Sequence, residues 1–310
     1  MTATRRLLIA VPAALCGVGL AWVLAHPAGP SPSAVVRVVT LGLGSTVFGL
    51  AALTWLGRDD RRPLLGAAEQ WRWVAGLSGA WAVSEALLLV VSASDAHAGR
   101  LSGLSVDQFT TYLTGSGTGR VGLVVLVLTT ALAVGAAIAY RCSADSAATA
   151  VLVSSGLALI VRPVTGHMSQ QLLGSALGAL HALAAALWCG ALVALVLTAH
   201  SRGLWAVWLP RYSTLAWRCV WVLMLTGVID ALVKLGGVSA LWTTGYGRIV
   251  AAKLVLLLVL LAAGWWWRRT WVPGAVAHRV SASSSTTRAI GEIAVMAVAF
   301  GLAAALATTG

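Results

Sequence analysis

The sequence predicts an all-α protein, a polytopic bundle of about nine transmembrane helices. Three observations carry that expectation. Of 310 residues, 59% are hydrophobic and only 10% are charged, where a soluble domain has about 25% charged residues. The apolar residues fall in continuous runs, many of them near the roughly 20 residues that a helix needs to cross a bilayer. Barrel strands would instead alternate over about 10 residues, and in lipid only helices and closed barrels satisfy every backbone polar group. No segment is large enough for a separate soluble domain, so residues 1–310 read as one membrane domain.

Arg5 and Arg6 precede the first apolar run, residues 7–25. A signal peptide has the same order of charge and apolarity. Here the run is long, no clear A-x-A site follows, and Pro27, Pro30 and Pro32 mark a loop, so a retained first span is expected. The second span covers 35–56, before the charged loop R-D-D-R-R-P at 58–63. The third, 73–91, contains Glu85. A longer polar loop with Asp95, His97, Arg100 and Asp107 leads to the fourth span, 121–140. The fifth, 147–161, is short and flanked by Arg141 and Arg162. The sixth, 172–197, organises the rest: it is longer than a bilayer needs and carries no acid or base except His181. The last three spans cover 219–235, 249–267 and 289–306, with 281–287 as a polar linker. Trp265, Trp266 and Trp267, then Arg268 and Arg269, stand where the eighth span leaves the membrane, the place of aromatic belts and basic anchors.

The net charge of +12 would suggest nucleic acid in a soluble protein. Here the bases sit in short loops and report topology instead, so no nucleic-acid partner is expected. Alternate loops place fourteen Lys and Arg residues on one side and six on the other. Positive-inside then puts the N-terminus in the cytoplasm and the C-terminus outside, in a multi-pass protein of the cytoplasmic membrane with the lipid bilayer as its solvent. Four cysteines, Cys16, Cys142, Cys189 and Cys219, lie in or beside spans with no paired framework. No Gly-rich phosphate loop, H-E-x-x-H or C-x-x-C is present. Neither an ATP-driven pump nor an enzyme is expected, and no catalytic residue is assigned.

Ionisable groups inside a membrane are rare and mark functional paths by default. Six candidates fall in the outer half under this topology: Glu85, His167, Met168, His181, Asp230 and Lys253. His167 and Met168 sit in the short loop before the sixth span, and His181 lies within that span, so a metal-ligand cluster is expected there. The competing reading is a histidine bonded to a neighbouring helix. A lone charge at the bilayer centre costs roughly 2.5–3.5 kcal/mol on insertion scales, and pairing Lys253 with Asp230 or Glu85 would offset it; a purely structural ion pair is the alternative. Asp230 and Lys234 also share one helix face. In the inner half, Cys189, Met224 and Met296 fall at similar depths, and Glu292 and Met296 are one turn apart. Sulfur ligands suit a soft metal ion, but such residues on apolar helices also serve packing alone.

A series of motifs points further. T-G-H-M at 165–168, H-A-L-A-A-A-L-W-C-G-A-L at 181–192, R-Y-S-T-L-A at 211–216, L-T-G-V-I-D-A-L-V-K-L-G at 225–236 and G-Y-G-R-I-V-A-A-K at 245–253 follow in order. With L-S-V-D-Q-F-T-T-Y-L-T-G-S-G-T-G-R at 104–120 and E-I-A-V-M-A-V-A-F-G-L-A-A-A-L-A-T-T at 292–309, the sequence resembles the copper resistance protein D family, most closely its actinobacterial branch, over about 73–309. That branch often carries a fused cytochrome oxidase assembly domain, which is not expected here. The resemblance implies copper movement across the cytoplasmic membrane, inward, as Cu(I) or Cu(II), with an extracytoplasmic copper-binding protein as a possible partner. His167, Met168, His181 and Glu85 then become the expected metal site, and Asp230, Lys253, Cys189, Met224, Glu292 and Met296 a transport path. Two other functions stay open: a b-type haem redox protein, since membrane histidines serve as axial ligands, and a scaffold delivering copper for oxidase assembly.

Overall fold

Hydrocarbon offers the backbone no hydrogen bonds, so each apolar run closes its own as a helix. The computed structural model describes residues 3–27, 29–60, 63–97, 101–165, 172–235, 237 and 239–309. Twelve α-helices follow one another: α1 (Ala3–Leu7), α2 (Ala10–Ala25), α3 (Ser33–Leu56), α4 (Ala67–Ala96), α5 (Val106–Gly115), α6 (Gly117–Arg141), α7 (Ala148–Thr165), α8 (Leu172–Thr198), α9 (Arg202–Leu235), α10 (Ala240–Thr243), α11 (Gly245–Val276) and α12 (Ala282–Leu306). Among the described residues nine helical segments are long and apolar enough to cross a membrane. They are the nine expected: α2 together with most of α1, then α3, α4, α6, α7, α8, α9, α11 and α12.

Several boundaries differ from the hydropathy reading, and three of the differences have a clear local reason. α9 begins at Arg202, not near residue 219. Arg211 and Arg218 interrupt the apolar run, yet Trp205, Trp208, Leu209 and Tyr212 are buried at helical spacing on the other face. The polar loop after α4 contains α5, capped by a box in which Ser105 Oγ accepts from Gln108 N and Gln108 Oε1 accepts from Ser105 N; S-V-D-Q is the sequence form of that box. Residues 282–287 are not a linker but the first turns of α12. Ser281 caps it by accepting from Ser284 N at 3.1 Å, and Thr286 and Thr287 donate back to Ala282 O and Ser283 O.

The core is built around α3 and α8. A Cβ on Gly190 would lie 1.7 Å from Ser45 O, and one on Gly49 would lie 2.0 Å from Gly190 C. The two backbones touch, and only glycine allows that approach. A second crossing joins α2 to α12, where a Cβ on Gly17 would lie 2.2 Å from Val298 O and one on Gly301 2.2 Å from Ala14 O. Around these, α4 and α7 pack on α3, α6 on α4 and α7, α9 on α8, and α11 on α9, α12 and α2.

Loops expected on one side do meet. At one end Arg6 donates to Thr287 Oγ1, Trp71 Nε1 to Ala144 O, and Arg202 to His278 O. Arg211 holds both Asp60 oxygens, at 2.5 and 3.1 Å. Arginines there also lie over tryptophan rings, Arg58 on Trp55, Arg211 on Trp208 and Arg269 on Trp265, as interfacial anchors do. At the other end Arg248 Nε donates to Leu24 O at 2.6 Å, and Asp95 accepts from Ser33 N at 3.2 Å.

Two outcomes are expected. In a background lacking Cys16 and Cys142, a cysteine replacing Ala277 between α11 and α12 stays protected from an impermeant thiol reagent in intact cells, while Gly103→Cys is labelled; the reverse pattern would invert the topology. Hydrogen bonding from Arg211 holds the Asp60 carboxyl below its ordinary value. Its stabilising effect is therefore complete above the usual carboxylate range near about 3.9 and is lost as pH falls through the lower, folded value. Melting curves of the wild type should lose this increment in acid, and Asp60→Asn should lack it at every pH.

Candidate functional site

His181 lies nine residues past the start of α8 and is half-buried. Its Nδ1 is 2.8 Å from Thr226 Oγ1 on α9. Thr226 has one hydroxyl proton and gives it to Val222 O at 2.6 Å, so the threonine oxygen accepts and His181 Nδ1–H donates. That fixes the tautomer: Nε2 carries the lone pair, with no hydrogen-bond partner among the described residues. Gly227, one residue on, faces the ring edge, with a built Cβ 3.5 Å from Cε1. The helix-to-helix bond that was the competing reading thus exists, and it leaves the other ring nitrogen available as a ligand atom. A hydroxyl or carbonyl behind a metal-binding imidazole commonly does this.

The surroundings of His181 are electropositive. Lys253 on α11 and Lys234 on α9 both lie within electrostatic reach of it. Asp230 pairs with Lys234 at 3.4 Å on its own helix. The expected Asp230–Lys253 pair is not formed within 4.0 Å among the described residues; Asp230 acts on Lys253 from further off. One helical turn separates Asp230 from Lys234, so the local partner wins over the one on α11.

Glu85 is placed elsewhere. Buried on α4, it accepts from Trp81 Nε1 at 3.3 Å through Oε1 and from Arg162 Nη2 at 2.5 Å through Oε2. Both carboxylate oxygens are engaged by these donors, and α4 packs chiefly on α3, α5 and α6 while α8 packs on α3, α7, α9 and α12. The sequence reading weighed Lys253 and not Arg162 for Glu85, because the partner depends on which helices are neighbours. His167 and Met168 lie outside the described residues.

In the inner half, Glu292 on α12 accepts from Tyr212 on α9 at 3.2 Å, and Cys189 on α8 is within electrostatic reach of both. Tyr212 was not singled out from sequence; its Y-S-T-L-A context carries no sign of the contact. A cleft is lined by Glu292, by Trp188, Trp217, Trp265, Trp267 and Trp271, and by Arg268. Met296 is in the core and Met224 packs against it. Among the described residues no three His, Cys, Asp or Glu side chains gather as a metal site. Nor does a second described histidine lie inside a span: His26, His97, His200 and His278 all stand at helix ends. Bis-histidine haem ligation has no partner for His181 there.

Breaking one partner of a buried ion pair leaves an uncompensated charge and costs about 3–5 kcal/mol. Glu85→Gln should destabilise by that order in detergent melts, and Glu85→Gln with Arg162→Gln should be milder than the single change. Equal losses would remove the pair from the account of stability.

No curated protein and no solved structure matches the chain. Residues 206–306, from α9 through α12, match the family model described as copper resistance protein D. The match covers Asp230, Lys253, Glu292 and the Thr226 that orients His181. Across that segment, about a third of the sequence, the chain is similar to the copper resistance protein D family.

Proposed function

We propose that the protein moves copper inward across the cytoplasmic membrane, with His181 as the ligand within the membrane. The supporting observation is the His181–Thr226 bond, which leaves the Nε2 lone pair unpartnered among the described residues. Imidazole nitrogen is a good copper ligand. His167 and Met168 precede α8 by a few residues and enter the reading by that sequence position, as capture residues on the outer side. Glu85 is left out of the ligand set because Arg162 and Trp81 hold its carboxylate.

Charge favours the monovalent ion. Lys234 and Lys253 repel a cation at His181, and Asp230 offsets part of that. Repulsion scales with the ion's charge, so Cu(I) suffers less than Cu(II), and the Met168 thioether selects the same state. Cys189 stands eight residues further along α8, about 12 Å at 1.5 Å per residue, next to Glu292 with Met296 one turn away on α12. A hand-over from nitrogen to this inner group meets the need for binding that is firm enough to capture and weak enough to release. An extracytoplasmic copper-binding protein would supply the ion.

Copper uptake into metal-free proteoliposomes tests the reading. His181→Gln keeps a polar contact to Thr226 and should melt like the wild type, yet lose uptake at limiting copper; Met168→Leu should chiefly raise the copper concentration needed. Normal uptake by His181→Gln would end the proposal.

A further inference from the structure

Three charged side chains from three helices meet near the end of the bundle where α3 begins, apart from His181. Arg37 is one turn into α3, Glu85 lies on α4, and Arg162 is in the last turn of α7. Glu85 uses one oxygen on Arg162 Nη2 and the other on Trp81 Nε1. Arg37 is within electrostatic reach of Arg162, of Glu85 and of Tyr112 on α5. Its guanidinium makes no hydrogen bond or ion pair among the described residues, and its Nε is closed off from solvent without a partner.

The one carboxylate within reach of both guanidinium groups is bound by Arg162 and not by Arg37. At membrane depth like charges on adjacent helices repel with little screening, and a second cation brought beside the first needs a second anion. Glu85 takes only one of the five donors of Arg162, so both arginines retain donors. The planar fork of arginine matches oxyanions, phosphate above all.

We propose that Arg37 and Arg162 form a binding site for a phosphate-type oxyanion on the side of the membrane where α3 starts. Glu85 and Trp81 hold Arg162 in place, and the Tyr112 hydroxyl is a further donor. The oxyanion comes either from a phospholipid headgroup in that leaflet or from free phosphate in the adjoining water; the recognition chemistry is the same.

Full-length protein stripped of phospholipid in phosphate-free detergent is titrated with inorganic phosphate and, separately, with short-chain phosphatidylglycerol, and Tm is followed. Wild type should show a saturable rise with at least one of them. A response to phosphate identifies a soluble anion, and a response to the lipid alone identifies a headgroup. Arg37→Gln should abolish the rise. Arg120→Gln, an exposed base at the start of α6, should keep it. Arg37→Lys, which retains charge without the fork, should raise the half-saturating concentration several-fold and serves if Arg37→Gln does not fold. No saturable rise with either compound, or an unchanged response in Arg37→Gln or in Arg37→Lys, overturns the site.

Discussion

The architecture depends on one backbone contact, the crossing of α3 and α8 at Ser45, Gly49 and Gly190. Lipid tails are as apolar as leucine, so helices in a membrane gain little from burying hydrophobic side chains and associate by close packing instead. With no side chains in the way, α3 and α8 become the common wall against which other helices are laid: α4 and α7 on α3, α9 on α8, α12 on both. The C-terminal half of α8 is nearly all Ala, Leu and Val, with Ala191, Leu192, Ala194 and Leu195 shut away from lipid. A bulky residue at Gly190 would force that wall apart and move His181 relative to Thr226.

Much of this was legible in the sequence because apolar length is a property of the chain itself. Nine spans, the alternation of basic loops and the central place of α8 follow from counting. The helices that were misjudged are those whose packing faces are interrupted by charge or hydroxyl groups. Arg211 leaves the packing face of α9 to meet Asp60, and Ser283 to Thr287 satisfy themselves against their own helix. Window averages are blind to such arrangements. The capping box of α5 was in plain view and shows that a polar stretch between spans still carries helical signals.

The site was legible only in part, and the limit is physical. An isolated intramembrane charge announces that it needs a partner without saying which. Glu85 was weighed against Lys253 and is bound instead to Arg162, and Asp230 pairs with Lys234 one helical turn away on its own helix rather than with Lys253. His181 was recognisable as an isolated polar residue, but its tautomer rests on the donor arithmetic of Thr226, which only the fold brings to it. In the inner half, Glu292 accepts from Tyr212 on α9, a residue not proposed for the path from sequence, and Cys189 lies within electrostatic reach of both.

Burial is shared very unevenly among the spans, and that has a mechanical consequence. In the most apolar stretch of α11, 11% is buried inside the protein, against 61% for α3 and 56% for α8 and α12. A helix held by so few protein contacts is the least costly of the nine to displace, since lipid replaces what it loses. Yet α11 carries Lys253 toward one end, within electrostatic reach of His181, and Arg268 toward the other, lining the same cleft as Glu292. A tilt of this single rod would shift positive charge at one depth of the membrane and re-space the cleft's tryptophans at another.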